Sequence, residues 1–365
     1  MNIGIPKERR PFELRVGLSP AGVEILTQQG HHVYVEHAAG IGAGFDDREF
    51  ETAGARVVYS PEEVFVRGDL LLKVARPTKE ELGWLRPHTT ILGLLHLASS
   101  REDKVEALLE KKITAVAYEQ IETANGELPV LRPFSQIGGK MAASIAARLL
   151  QNNWGGKGIL PGGIPGVPPA EVVIIGGGVV GMYATEAFIG LGAHVTVIDK
   201  SVDVLQQVYN RFNCVTTMVS TRRNIEKATA YADVVVGAVL LTGERTPILI
   251  SREMMRAMKP RSVFIDVSID QGGCAETSRP TMHDQPTYIE EGVIHYCVPN
   301  MPGVVARTAT HAFVNAAMPY IVEIANKGVA DAILDNTAIA KAVNTHNGAL
   351  VHLSLLSQGV EDGLD

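Results

Sequence analysis

The chain has 365 residues, of which 46% are hydrophobic, 33 are basic and 40 are acidic, so that its formal net charge is −7. At roughly 150 residues per domain, this length predicts two domains with sizeable cores and excludes a single small module. No block of Lys and Arg of the kind that binds nucleic acid or anionic lipid occurs, so neither is an expected partner.

The three cysteines, Cys214, Cys274 and Cys297, lie far apart and form no CxxC motif. The sequence therefore predicts no disulfide framework and no metal site. The first eight residues carry charge at Lys7 and Glu8 and contain no apolar core segment, and every later apolar stretch is interrupted before 18 residues. We expect a soluble, cytoplasmic protein that is neither exported nor membrane-spanning.

From the amino terminus, short β-branched runs alternate with helical patterns. Strands are predicted over Asn2–Pro6, His32–Glu36, Arg56–Tyr59, Asp69–Val74, Thr89–His96 and Ile113–Tyr118. Helices are predicted between them, over Ser19–Gln29, Asp46–Ala53, Pro61–Val66, Lys79–Leu85 and Arg101–Lys111. This alternation is typical of a parallel, doubly wound sheet that is covered on both faces.

An Ala-rich helix is predicted around Ser135–Asn152, and the six Gly and four Pro of Asn153–Pro169 predict a loop. The alternation then restarts, which predicts a second doubly wound unit. Its strands are predicted over Glu171–Ile175, His194–Ile198, Cys214–Val219, Asp233–Leu240, Ser262–Val267 and Val293–Val298, and its helices over Val180–Leu191, Val204–Phe212, Arg222–Ala230 and Ser251–Met258. The apolar helix Thr308–Ala325 is expected to return to the first domain.

A glycine-rich motif follows the first strand of the second unit and opens a helix. Residues Gly176, Gly178 and Gly181, with Val179 and Val180 between the last two, match G-x-G-x-x-G. In a dinucleotide site the first glycine makes a tight turn, the second lets the pyrophosphate approach the backbone, and the third lets helix and strand pack closely.

The carboxylate expected with this motif is Asp199, which ends the next predicted strand 23 positions after Gly176. There it would accept hydrogen bonds from the adenosine ribose and repel a 2′-phosphate, so NAD is favoured over NADP, although the adjacent Lys200 weakens the preference. The alternative is a structural turn with a surface aspartate. The predicted fold is α/β, with two doubly wound parallel-sheet (Rossmann-like) domains and a cleft between them. Residues 135–304 form the NAD-binding domain, and residues 1–134 with 305–365 form a discontinuous substrate domain.

In open α/β sheets the ligand lies beyond the carboxyl ends of the strands. Three such places carry chemistry: His96 after one strand, the polar group Asp266 to Asp270 after another, and the turn 299–303. The alternative for His96, which lies among four leucines, is a buried core histidine. The alternative for Asp270 is a helix cap or turn residue.

Together these residues resemble the alanine dehydrogenase/pyridine nucleotide transhydrogenase family over nearly the full chain. The matching segments are 4–8, 95–98, 117–119, 162–167, 176–181, 237–240, 269–274, 278–281, 296–303 and 344–346, together with Arg15. The Asp-Gln-Gly-Gly-Cys and Asn-Met-Pro elements among them are highly specific. The transhydrogenase subunit lacks the histidine that stands here as His96, so its presence favours a stand-alone dehydrogenase.

The resemblance implies that L-alanine, NAD⁺ and water give pyruvate, ammonium and NADH, reversibly, in a homo-hexamer without a metal. It implies that Arg15 binds the substrate carboxylate, that His96 is the acid/base, and that Asp270 steadies the iminium and directs water. The positions that fall where the family contacts NAD, with those of the glycine motif and its neighbours, are Ser135, Gly176, Gly178, Val179, Val180, Gly181, Asp199, Ser220, Val239, Leu240, Asn300 and Met301.

The sequence departs from the family pattern near the substrate. The family's Lys-Val-Lys-Glu-Pro stands here as Lys73-Val74-Ala75-Arg76-Pro77, so a substrate lysine is replaced by Ala75. Lys73 remains a candidate substrate ligand, and strand alternation places it on the face of Ala75 and Arg76 on the other. Whether either replaces the missing lysine stays open.

Gly93-Leu94 stands where the family often has a threonine and an aromatic residue. This change and the missing lysine favour a roomier pocket. They leave two alternatives to alanine dehydrogenase. One is a dehydrogenase for another 2-amino or 2-oxo acid or a saccharopine-like substrate, and the other is a nucleotide-binding subunit that docks on a membrane partner.

Overall fold

The computed structural model describes residues 1–239 and 246–352. The chain divides into two compact units, the first formed by Met1–Phe134 with Gly303–Asp365 and the second by Ser135–Pro302. Within the described residues, no helix is both long enough and apolar enough to cross a membrane. Leu240, the predicted end of one strand and a predicted cofactor contact, lies outside the described residues.

The first unit begins with alternating strands and helices. In chain order they are β1 Asn2–Ile5, α1 Pro20–Gln28, β2 His32–Glu36, α2 Asp47–Thr52, β3 Arg56–Val58, α3 Pro61–Arg67, β4 Leu70–Ala75, α4 Lys79–Trp84, β5 Thr90–Leu94, α5 Glu102–Glu110 and β6 Thr114–Ala117. The helix starts follow from local chemistry. Ser19 caps α1 ahead of Pro20, and capping boxes open α2 and α4, the latter between Thr78 and Glu81.

Helix α6, Arg132–Leu149, runs from the first unit into the second, and begins three residues before its predicted start at Ser135. The second unit then contains β7 Glu171–Ile175, α7 Val179–Gly190, β8 His194–Asp199, α8 Val202–Arg211, β9 Val215–Val219, α9 Arg222–Tyr231, β10 Val234–Gly237, α10 Arg252–Ala257, β11 Val263–Asp266, β12 Thr287–Glu290 and β13 Val293–Tyr296. The remaining elements return to the first unit and are α11 Ala306–Lys327, α12 Val329–Asp335, α13 Thr337–Ala342, β14 Val343–His346 and β15 Ala349–Leu350.

Each unit has one sheet. The strand order is β15-β14-β6-β5-β4-β1-β2-β3 in the first and β12-β13-β11-β10-β7-β8-β9 in the second. Along β7, Val172 and Ile174 join one core cluster while Val173 and Ile175 join another. Apolar side chains on both sides of a strand mean that both faces of the sheet are covered, as the doubly wound α/β fold requires.

Both sheets are parallel, as predicted, except at one edge of each. β12 pairs antiparallel with β13, and β14 pairs antiparallel with β6 and β15. Two-residue turns, Glu291-Gly292 and Asn347-Gly348, connect the two hairpins, and all four residues have φ between 50° and 82°. Such turns favour Asn-Gly because both positions need positive φ, so Asn347-Gly348 was a readable signal that the sequence analysis did not use.

Candidate active site

His96 lies two residues beyond the end of β5, in left-handed backbone with φ 43°. Its side chain is 55% exposed, so the alternative of a buried core histidine is wrong. Leu95 and Leu97 on either side are buried. The two buried leucines therefore anchor the loop in the core, and the imidazole of His96 between them faces outward.

The carboxylate of Glu119, 9% exposed, lies beside His96. It follows β6, the strand next to β5 in the sheet. Its oxygens accept hydrogen bonds from the backbone N–H of Leu95 at 3.1 Å and of His96 at 2.6 Å, and Oε1 lies 3.7 Å from Nδ1 of His96. Glu119 is not among the residues predicted for the site from the sequence. Its place directly after a strand was the signal that could have found it.

Arg15 is buried. Its guanidinium makes a two-point contact with Glu13, with Nε donating to Oε1 at 2.7 Å and a terminal nitrogen donating to Oε2 at 2.5 Å. The guanidinium carbon also lies 4.9 Å from the ring centroid of Phe134. Such a paired and stacked guanidinium has a fixed orientation, which suits recognition of a planar carboxylate.

Lys73 has no exposed surface. Its ammonium donates to Glu8 at 3.1 Å and to Glu81 at 2.9 Å. Burial by itself lowers the pKa of Lys73, but the two carboxylates outweigh burial and hold that pKa above its ordinary value. Burial raises the pKa of Glu8. These contacts favour a structural role for Lys73 over the substrate role considered from the sequence.

The regular alternation assumed for Lys73, Ala75 and Arg76 does not hold along β4, because its pairing with β5 shifts register there. Leu72 pairs with Leu92 and Ala75 with Leu94, so three residue steps on β4 face two on β5. The extra residue makes a β-bulge, and a bulge breaks the alternation of side chains between the faces. Bulges depend on the partner strand, and for that reason the sequence of β4 alone did not reveal it.

The expectation that Gly93 opens a pocket also fails. A Cβ on Gly93 would lie 3.1 Å from the Leu95 side chain and 3.5 Å and 3.6 Å from the carbonyl oxygens of Lys73 and Val74. That position faces packed protein, because Leu95 fills the space that a larger residue would take.

The glycine motif in the second unit has the backbone geometry that its sequence predicts. Gly176 has φ 104°, and a Cβ added to Gly181 would overlap the carbonyl oxygen of Gly176. Gly178 is exposed and caps the amino end of α7, and an added Cβ there meets no atom within 4 Å. Open space over the first N–H groups of a helix is a suitable place for a pyrophosphate. Val179 is exposed and Val180 is partly buried.

Asp199 ends β8 beside this motif. One carboxylate oxygen accepts from the N–H of Gly177 at 2.7 Å and the other from the N–H of Ser201 at 2.8 Å. A carboxylate oxygen has a second lone pair, so these bonds orient Asp199 without using up its capacity to accept ribose hydroxyls. The residues present therefore fit a dinucleotide.

The other predicted cofactor contacts differ in exposure. Ser220 is partly buried and its N–H donates to the carbonyl of Asp199 at 2.8 Å, while the N–H of Val239 donates to Ser268 Oγ at 3.0 Å. Ser135 is partly buried in the first turn of α6. Asn300 has left-handed backbone with φ 51°, and Met301 is 3% exposed within the core cluster.

The predicted polar group after β11 separates into two kinds of residue. Asp266 is fully buried and accepts from the N–H of Ser268 and Cys274 and from Ser278 Oγ. Burial raises the pKa of Asp266, and those hydrogen bonds oppose the rise. Asp270 is exposed on the short 3₁₀ turn that follows. Asp266 therefore shapes the loop, and Asp270 is the residue this loop presents.

Comparison with known proteins adds to this geometry. The sequence profile described as Alanine dehydrogenase/PNT, N-terminal domain matches residues 4–138, and its C-terminal counterpart matches residues 142–353. Alanine dehydrogenase of Methanococcus maripaludis is 46% identical over 96% of this chain and 95% of that protein. Alanine dehydrogenase of Bacillus subtilis is 46% identical over 96% and 93%.

Solved structures agree. An L-alanine dehydrogenase superposes with a TM-score of 0.94 at 44% identity, covering 96% of this chain and 97% of that one. A transhydrogenase from Sinorhizobium meliloti superposes with a TM-score of 0.83 at 26% identity, covering 96% and 99%.

Proposed function

The chain belongs to the alanine dehydrogenase/PNT family, and from this premise we propose that it catalyses the reversible, NAD-dependent oxidative deamination of L-alanine. The observation that carries the proposal is His96, exposed at the end of a strand beside the Glu119 carboxylate. The resemblance implies that the transhydrogenase subunit lacks this histidine. The names of the relatives favour alanine over another amino acid as substrate.

The reaction balances as L-alanine, NAD⁺ and water giving pyruvate, ammonium, NADH and a proton. The Cα–H bond of alanine breaks, and NAD⁺ supplies the acceptor for the hydride. Water then adds to the iminium carbon, and the C–N bond breaks as ammonia leaves. The protein must therefore hold a carboxylate, move protons at nitrogen and oxygen, and stabilise a cation.

We assign one role to each residue. Arg15, whose guanidinium is oriented by Glu13, binds the substrate carboxylate. His96 takes up the proton from the amine or from the attacking water and returns it in the reverse direction. Asp270, exposed on its turn, carries the negative charge that steadies the iminium and directs water.

The domain roles follow from where these groups lie in the chain. We propose that residues 1–134 with 305–365 bind the substrate, since they contain Arg15 and His96. We propose that residues 135–304 bind NAD, through Gly176, Gly178, Val179, Val180, Gly181, Asp199 and the further predicted contacts. The pattern that supports the second role is the glycine turn with Asp199 hydrogen-bonded to it.

We also propose a homo-hexamer in a reducing cytoplasm, acting in L-alanine catabolism. The exposed apolar side chains of Leu160 (62%), Ile164 (61%) and Val167 (55%) lie together on one Gly- and Pro-rich segment. Exposed apolar patches mark interaction surfaces, and we propose a second copy of this chain as the partner. The absence of disulfides among the three cysteines supports the compartment.

The test is an assay of the purified chain with L-alanine and NAD⁺, followed by NADH absorbance. L-Alanine should react, D-alanine should not, and NADP⁺ should be a poor substitute because Asp199 repels a 2′-phosphate. A panel containing glycine, L-serine and L-2-aminobutyrate tests the alternative. Turnover of a panel member with no turnover of L-alanine would refute the proposal.

A further inference from the structure

Glu119 is a buried carboxylate whose geometry is directed at one residue. Its two oxygens accept from consecutive backbone N–H groups, those of Leu95 and His96. The same carboxylate lies 3.7 Å from Nδ1 of His96, while it is 9% exposed and the imidazole is 55% exposed. One side chain therefore contacts both the backbone and the ring side of the proposed acid/base.

The backbone contacts have a physical purpose. His96 has φ 43°, a left-handed conformation that a residue with a Cβ adopts only where its surroundings hold it. Two hydrogen bonds to a carboxylate supply that hold, because charge-assisted bonds are stronger than neutral ones. Without them the loop would lose the bonds that turn the imidazole outward between two buried leucines.

The ring contact has an electrostatic consequence. A negative charge on the Nδ1 side favours the protonated imidazole over the neutral one, and low exposure of the carboxylate limits screening by water. Lys341 of α13, which packs against the turn that carries Glu119, is paired with Glu122 at 2.6 Å.

We propose that Glu119 is the positioning residue of His96, fixing its left-handed backbone and stabilising its protonated form from the Nδ1 side. Its part in turnover rests on the proposed function, whereas its effect on the protonation of His96 does not. In alanine oxidation His96 must first be neutral, and in the reverse reaction it must first be protonated.

The decisive experiment measures the protonation of His96 without requiring activity. Diethyl pyrocarbonate carbethoxylates neutral imidazole, and peptide mass spectrometry gives the rate at His96 across a pH series. In Glu119→Gln the midpoint for His96 should move to lower pH, while that of His194 stays unchanged. The matched control is Glu171→Gln, because Glu171 lies 3.3 Å from Nδ1 of the exposed His194. It should leave the His96 midpoint unchanged.

A second variant separates charge from loop geometry. Glu119→Asp keeps the charge on a shorter side chain, so its His96 midpoint should lie nearer to that of the unmodified protein than the Glu119→Gln midpoint does. If the unmodified chain oxidises alanine, Glu119→Gln should lower kcat about tenfold or more, part of the 10²–10⁴ of acid–base catalysis. The acid limb of its pH profile should move to lower pH.

A His96 midpoint that is identical in the unmodified protein and Glu119→Gln would overturn the inference, whether or not the chain oxidises alanine. The same holds for a midpoint that moves equally in Glu171→Gln. Absence of alanine turnover with a shifted His96 midpoint would overturn the proposed function and leave the electrostatic coupling standing.

Discussion

The two sheets have the same strand order around the point where the order reverses, yet they use that point differently. In the second unit the reversal lies between β7 and β10, and in the first between β1 and β4. After β7 comes Gly176, where a Cβ would overlap the carbonyl oxygen of Ala238 beyond β10. After β1 comes Glu8, whose carboxylate accepts from the N–H of Val74 and from Lys73 in β4.

The difference shows that strand order alone does not make a nucleotide site. Ligands of open α/β sheets bind at this reversal, but only if the first turn leaves room for them. The glycine turn leaves space over the amino end of α7, whereas Glu8, Lys73 and Glu81 fill the corresponding place with a buried ion cluster. The first turn after the first strand is therefore where the two units differ at their reversal points.

The largest expected effect is on kcat, and it tests whether acid–base chemistry and NADH binding belong to different units. His96→Ala should lower kcat by about 10²–10⁴ because it removes the acid/base, while NADH affinity stays nearly unchanged. Steady-state kinetics and a fluorescence titration with NADH measure the two quantities. His194→Ala, another exposed histidine, is the control and should change neither. A parallel loss of NADH affinity in His96→Ala would contradict the assignment of acid–base chemistry and NADH binding to different units.

The ion cluster of the first unit should be important for stability. Lys73→Met removes the ammonium that the buried carboxylates of Glu8 and Glu81 share, which should cost about 3–5 kcal/mol in the free energy of unfolding. Urea unfolding measures it. The control Lys327→Met removes exposed pairs with Glu323 and Asp335 and should give no measurable shift. An equal, small effect of both variants on the free energy of unfolding would mean that the buried ion cluster does not stabilise the first unit.

Ala75 tests the substrate end of the same strand. If the family's second lysine gives the substrate a charge-assisted hydrogen bond, Ala75→Lys should gain about 1.5–3 kcal/mol. This is roughly ten- to a hundredfold in KM for pyruvate, and KM for NADH should not change. Tight pyruvate binding by the unmodified protein would show that another cation already binds the substrate in place of the missing lysine.

Two glycine substitutions in the second unit separate packing of its glycine motif from NADH binding. Gly181→Ala should destabilise the second unit by about 1–3 kcal/mol through overpacking and weaken NADH binding with it. Gly178→Ala meets open space, so stability should be retained while NADH affinity falls, because the new methyl stands where the pyrophosphate approaches. Unfolding curves and NADH titrations of both variants separate the effects. Unchanged affinity in Gly178→Ala would place the pyrophosphate elsewhere.

Much of the fold could be predicted because its signals are local. Alternating apolar runs, caps such as Ser19 and the spacing from Gly176 to Asp199 all lie within short stretches of chain. The antiparallel edges were missed although Asn347-Gly348 was a usable local signal. The bulge in β4 could not be predicted, since it exists only relative to β5.

For the candidate site, the sequence predicts which residue types carry chemistry, and the tertiary structure shows which partners they contact. The sequence by itself singled out His96, Arg15, Asp199 and Asp270, because each type suits its chemistry and three of them lie at or shortly after the ends of predicted strands. Only the tertiary structure decided that Glu119 contacts His96 and that Glu13 orients Arg15. It also decided that Lys73 is buried between Glu8 and Glu81. The physical reason is that a parallel sheet brings together residues that are distant along the chain, as with Glu119 and His96 or Glu8 and Lys73, and no local pattern encodes which carboxylate meets which cation.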